Sequence, residues 1–191
     1  ASHPTYSVAG DLLTFTHTGT AHLQRVGRAS ESRTGRRTLD LVINSIPTNF
    51  YIGVGYDDGV KDWSAENQME GATGWNGALA YATSGGTESY VGNGSGTFPS
   101  SANGSVQWLP ADIMRIDITQ GTFTGPTPNN DAVMIVSRVR AGVETAVFTM
   151  TGRASTTELN IIFMSRYGVS GTLDFTTLAA PAINGASLEF Q

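Results

Sequence analysis

The sequence predicts an all-β fold: a two-sheet antiparallel β-sandwich followed by an extended C-terminal tail. Three observations carry this. Phe50-Tyr51-Ile52-Gly53-Val54-Gly55-Tyr56 alternates apolar side chains with glycine, as a strand does when packed tightly against a neighbour. Gly74-Trp75-Asn76-Gly77-Ala78-Leu79-Ala80-Tyr81 follows after an acidic stretch and reads as a strand returning beside the first. Short alternating segments then recur to residue 175, divided by Gly or Ser/Thr turns, with no long helical pattern between them.

In chain order, residues 1–9 read as an irregular lead-in containing Pro4. Leu12 to Thr16 is a first strand, His17 to Thr20 a turn, and Ala21 to Val26 a second strand. Gly27 to Arg37 reads as a loop or a ragged sheet edge. Thr38 to Ile43 alternates, with Leu39, Leu41 and Ile43 on one face. Asn44 to Asn49, with Pro47, is the turn into the glycine-bearing strand. The acidic stretch 57–70 reads as a loop with at most one helical turn, because Gly59 and Gly71 bracket it. Residues 83–105 are rich in Gly, Ser, Thr and Asn. Their composition is that of a linker, but Tyr90, Val91 and Phe98 point to short hairpins pinned to the body. Asp112 to Ile118 alternates, Gly121 to Asn130 is a turn-rich loop, and four strands follow: 132–139, 144–151, 159–166 and 171–175. We place one sandwich domain over residues 1–178 and a tail over 179–191.

Composition narrows the function. With 191 residues the chain can bury about 70% of its unfolded surface. Cysteine is absent, which removes disulfides and thiol chemistry. The net charge of -5 argues against nucleic acid as the main partner. No run of about 18 apolar residues is present to span a membrane, and no signal peptide is visible at Ala1-Ser2-His3-Pro4. Charge is blocked: Arg25, Arg28, Arg33, Arg36 and Arg37 face only Glu31 within 25–37, while Asp57, Asp58, Asp62, Glu66 and Glu70 face only Lys61 within 57–70. Arg makes planar bidentate contacts, so Arg33, Arg36 and Arg37 are candidate partner contacts.

No catalytic set emerges. The three histidines, His3, His17 and His22, lie near the start and read as exposed or hairpin residues, and no Gly-x-Ser-x-Gly elbow accompanies them. Asp57, Asp58 and Asp62 could offer oxygens to calcium, but the spacing is not that of a calcium loop, and a solvated acidic loop is the simpler reading. No metal or cofactor is expected. A carboxylate-pair glycosidase would need a matched pair of acids in a cleft, which no strand displays. Trp63, in the polar stretch, is the aromatic best suited to an exposed contact, whereas Trp75 and Tyr81 read as core. Tyr90 and Trp108 could also stack on a sugar or peptide.

The order of Tyr51-Ile52-Gly53-Val54-Gly55, Gly74-Trp75 through Tyr81, Ala111-Asp112-Ile113-Met114-Arg115-Ile116-Asp117 and Gly171-Thr172-Leu173-Asp174-Phe175 resembles SPRY (B30.2-like) domains of the concanavalin-like sandwich group. The resemblance spans roughly residues 10–178. Ala111 stands where that family has Gly, and Asp174 where it has Asn. The resemblance implies a binding module that holds a protein or sugar through loops at one end. Concanavalin-like sandwiches also occur in phage fibres and capsid decorations. The glycine- and threonine-rich body, the apolar tail and the opposed charge blocks point the same way. The expectation is therefore a non-enzymatic virion structural protein, a capsid decoration or a tail or fibre component. It would contact other virion proteins or copies of itself, with a host-surface glycan as a further partner. The alternative is a carbohydrate- or peptide-binding lectin-like module working through Trp63 and the acidic loop.

Overall fold

The computed structural model describes residues 5–10, 12–18, 22–29, 35–57, 76–84, 86–93, 106–120, 132–152 and 159–174. Twelve strands run in order: β1 (Thr5–Ala9), β2 (Leu12–His17), β3 (His22–Ala29), β4 (Gly35–Ser45), β5 (Tyr51–Asp57), β6 (Asn76–Thr83), β7 (Gly86–Asn93), β8 (Ile113–Gln120), β9 (Ala132–Arg140), β10 (Val143–Gly152), β11 (Leu159–Arg166) and β12 (Val169–Asp174). A seven-stranded sheet has the order β1-β2-β12-β4-β8-β9-β10, and a five-stranded sheet the order β3-β11-β5-β6-β7. Every pairing is antiparallel. Residues 58–75, which hold the acidic stretch beyond Asp57, residues 121–131, which hold the turn-rich loop, and the tail 179–191 lie outside the described residues.

The predicted faces are the ones that meet. Leu39, Leu41 and Ile43 of β4, Met114, Ile116 and Ile118 of β8, and Leu13 and Phe15 of β2 pack against Ile52, Val54 and Tyr56 of β5 and Ile161 and Phe163 of β11. The Phe15 and Phe163 rings join the two layers with centroids 4.5 Å apart. Two expectations are corrected. Residues 5–9 are not an irregular lead-in: they pair with β2 as an edge strand, through a reversal at Gly10 with φ of 60°. His17 is not exposed. Its ring is buried, and Nδ1 lies 3.0 Å from both the carbonyl oxygen and the hydroxyl of Ser165, tying β2 of one sheet to β11 of the other.

The glycines of β5 have a steric reason. A Cβ at position 53 would lie 2.6 Å from Tyr81 Cα and closer still to Tyr81 Cβ and the Ala80 carbonyl oxygen. At position 55 it would lie 2.6 Å from Leu79 Cα and closer still to the Ala78 carbonyl oxygen. β5 and β6 therefore approach more closely than any residue with a side chain permits. Tyr56, on the core face, has a buried hydroxyl without a hydrogen-bond partner. Burial pushes its pKa up, so the phenol stays neutral.

One end of the sandwich is braced by charge. Asp112 is 1% exposed, and it accepts from Arg140 Nε and Nη2 at 2.6 Å each and from the Leu109 N–H at 2.8 Å. Arg138 and Arg140 also donate to the Gln107 carbonyl at 3.1 and 2.9 Å. The segment so held seats Trp108 in the core and joins β4, where the Ile43 N–H donates to the Asp112 carbonyl at 2.9 Å. Burial by itself raises the Asp112 pKa. The Arg140 and Leu109 hydrogen bonds, with the Arg140 and Arg138 charges, outweigh it and hold the carboxyl below its ordinary value.

Three outcomes follow from this packing. Gly53→Ala forces backbone apart and should cost about 3 kcal/mol in urea unfolding, the upper end for overpacking. Tyr56→Phe removes an unbonded buried hydroxyl and should leave stability unchanged or raise it by about 1 kcal/mol. Asp112→Asn should cost about 1–3 kcal/mol at neutral pH, moderated because Arg140 is partly solvated. The folded-state pKa of Asp112 is depressed, so its contribution is present above the unfolded value near ~3.9 and fades as pH falls through the lower folded value. Acid titration of stability should accordingly be shallower in Asp112→Asn than in the parent.

Candidate functional site

The strand registers gather several connections at the braced end. Tyr51 begins β5 opposite Thr83 and Arg166, Ser45 of β4 lies opposite Ser170 of β12, and His17 lies opposite Val169. The β4–β5 loop, the β6–β7 turn and the β11–β12 turn therefore meet there. Between them lies an open groove of about 630 Å³, lined by Pro47, Thr48, Asn49, Tyr51, Ser84 and Tyr167. It is a shallow depression open to solvent rather than an enclosing cleft.

The groove is built on a relay of tyrosines. Gly53 admits Tyr81 against β5, and Tyr81 is fully buried. Its ring backs that of Tyr51, with centroids 5.8 Å apart. Tyr51 in turn meets Tyr167 at 6.2 Å, the two rings inclined by 58°. Such tilted pairs add about 0.5–1.5 kcal/mol beyond area burial and fix ring orientation.

Tyr167 is 38% exposed and has φ of 64°, a left-handed conformation rarely taken by a bulky residue. Gly168 follows at 75°. These two residues alone carry the chain from β11 in the five-stranded sheet to β12 in the seven-stranded sheet. A left-handed non-glycine residue costs about 1–2 kcal/mol. Strain of this kind is found at ligand clamps and switch regions, and in this chain also at the turn residues Ala111 and Ala141. Among the described groove residues none carries a carboxylate, ammonium or guanidinium group.

The other polar constellations serve the frame. On the outer face of the seven-stranded sheet, Arg115 Nε and Nη2 donate to the Asp40 carboxylate at 2.9 and 2.8 Å, and Nη1 donates to Glu144 at 3.0 Å. The Arg115 pKa is raised, chiefly by the Asp40 hydrogen bonds, so its charge is fixed. Thr38 donates to Asp117 beside them. Asp40 and Glu144 thus share one guanidinium. Ser165 and His17 are both fully buried, which withholds them from any substrate.

The sequence-derived candidates fall elsewhere. Asp57 ends β5, with its backbone opposite Gly77 and Asn160. Arg36 and Arg37 open β4, opposite Thr119 and Ile118. All three positions lie at the end of the sandwich away from the groove. Asp58, Asp62, Trp63 and Arg33 lie outside the described residues, as does Trp75. Tyr81 is buried as expected, but on the face of β6 turned away from the inter-sheet core, against Gly53; Trp108, a candidate stacking residue from sequence, is buried in the core. The groove residues Tyr51, Asn49, Ser84 and Tyr167 were not singled out from sequence. The one local signal was Tyr167-Gly168 between two apolar strands, a turn that places an aromatic where a small residue is easier.

No family model matches the chain, and no curated protein matches it. Solved structures do. A human SPRY domain superposes with a TM-score of 0.53 at 14% identity, covering 94% of this chain and 99% of that one. A legume lectin-like domain from Entamoeba histolytica superposes with a TM-score of 0.51 at 12% identity, covering 90% of this chain and 84% of that one. At these identities the likeness is one of fold, and it agrees with the strand order and two-sheet packing: the chain is a SPRY-like, concanavalin-like β-sandwich.

Proposed function

We propose that this protein is a non-enzymatic recognition module that holds a glycan or a protein through the groove at its braced end. The observation that carries the reading is Tyr167. An exposed aromatic is held in a strained conformation by a two-residue crossover, over a groove assembled from loops of both sheets. Exposed aromatics with low rotamer freedom are efficient contact groups. The fold it shares with a SPRY domain and a lectin-like domain supports the same reading. A place in a virus particle, as decoration or fibre part in contact with other virion proteins or copies of itself, belongs to the proposal on composition: low charge, abundant glycine and opposed Arg-rich and acidic blocks.

The test is a screen of the intact chain against a glycan array and a displayed peptide library, run beside Tyr167→Asn. Asn accepts the left-handed conformation, so the melting temperature should move by only a few degrees. Ligands bound by the parent should weaken at least tenfold in the variant. Equal binding by both proteins would remove the groove from the function.

A further inference from the structure

We propose a second contact surface, separate from the groove and independent of its role. The open edge of β10 over residues 143–146 takes an extended peptide of a partner protein as an added strand, with a glutamate of that peptide set against Arg138. Three features carry this. The first is an overhang. β10 ends the order β1-β2-β12-β4-β8-β9-β10, so β9 is its one strand partner among the described residues. Val143, Glu144, Thr145 and Ala146 are all exposed. Thr145 lies opposite Arg138, and Arg138 lies opposite Met114 of the core. Cross-strand partners share a face, so Thr145 belongs to the inward row and is exposed all the same. The register shift between Ala146 and Phe148, with Val147 packed against the core, marks where β10 rejoins the body.

The second is the chemistry of the edge. In an antiparallel ladder every second residue turns its N–H and C=O away from its partner, so an end strand offers unpaired backbone groups. Lys and Pro, which blunt such edges, are absent from 143–146. The one charged residue there, Glu144, is held by Arg115 at 3.0 Å on the outer face of the sheet. The bulge that follows limits strand addition to these four residues.

The third is a positive charge left over. Arg138 and Arg140 stand with one carboxylate, Asp112, and Arg140 takes it through both Nε and Nη2. Among the described residues Arg138 makes one hydrogen bond, from Nη1 to the Gln107 carbonyl, and pairs with no carboxylate. Its Nε is buried without a partner. An uncompensated charge beside the edge selects an anionic strand. A strand added to β10 lies two spacings, about 10 Å, from β9. Its residue opposite Thr145 shares a face with Arg138, and the short Thr145 side chain leaves the space between them open. Glutamate, one methylene longer than aspartate, spans that space better. Val143 and Leu109, 66% and 49% exposed, border the Arg140–Asp112 pair: Val143 lies opposite Arg140, and the Leu109 N–H donates to Asp112. They give apolar residues of the peptide a surface to cover.

The experiment presents the intact chain with a displayed library of seven-residue β-forming peptides bearing Glu, Gln or Lys at the centre. Selected sequences are then made as free peptides and measured by calorimetry. The selected peptides should carry Glu, and exchanging it for Gln should weaken binding tenfold or more. Methylating alternate peptide nitrogens should abolish binding in one register and spare it in the other, as strand addition requires. Backbone amides within 143–146 should gain protection from hydrogen exchange. Arg138→Gln should weaken the Glu peptide tenfold or more, whereas Tyr167→Asn, in the groove, should leave it unchanged. Melting curves report whether each variant folds. If Arg138→Gln does not fold, the Glu-to-Gln and methylated peptides decide on the parent chain alone. Failure to select any peptide, equal affinity for Glu and Gln, indifference to methylation, or full binding by a folded Arg138→Gln overturns the proposal. Loss of binding in Tyr167→Asn overturns it as well and assigns the peptide to the groove.

Discussion

The contact on which the rest depends is the approach of β5 to β6 at Gly53 and Gly55. Two backbones there come so close that a single methyl group has no room. The consequence runs outward in two directions. Toward the core, Ile52, Val54 and Tyr56 of β5 stand beside Ala78, Ala80 and Ala82 of β6, so large side chains from one strand lie over small ones from the next. Toward the outside, the bare glycine surface takes Tyr81, and Tyr81 positions Tyr51 and through it Tyr167. The core and the proposed binding surface are two faces of one steric fact.

Charge does a different job. Hydrophobic packing fills the space between the sheets but says little about how the chain turns at their ends. At the braced end a buried carboxylate, two arginines and a peptide carbonyl fix the segment before β8. A buried carboxylate is costly unless its oxygens are satisfied, and Asp112 receives three donors. Its value is geometric. It holds Trp108 inward and ties the segment before β8 to Ile43, near the end of β4 from which the β4–β5 loop departs.

Much of the fold was legible in the residues. Period-two alternation named the inward faces of β4 and β5, and the glycines of β5 announced a close neighbour. β1 escaped because it is a short edge strand, Tyr6 and Val8 being its large apolar residues, and it is defined by its partner β2 rather than by its own pattern. His17 looks like a turn residue in the sequence because its burial depends on Ser165, 148 positions away. The candidate site was mostly illegible. Acid and arginine clusters stand out in a string of letters, whereas Tyr51 and Tyr167 are ordinary residues 116 positions apart. Only the pairing of Tyr51 with Arg166 brings them together. Composition ranks residues by conspicuousness, and a neutral aromatic groove is inconspicuous.

The brevity of the β11–β12 crossover has a thermodynamic consequence for any encounter at that end. Two residues leave no slack, so the layers cannot slip past one another there without breaking the Val169–His17 or Tyr51–Arg166 pairing. The backbone carrying Tyr51 and Tyr167, whose rings are in contact, is consequently set by the fold itself. A partner arriving there meets little ordering penalty, and modest contacts can translate into measurable affinity.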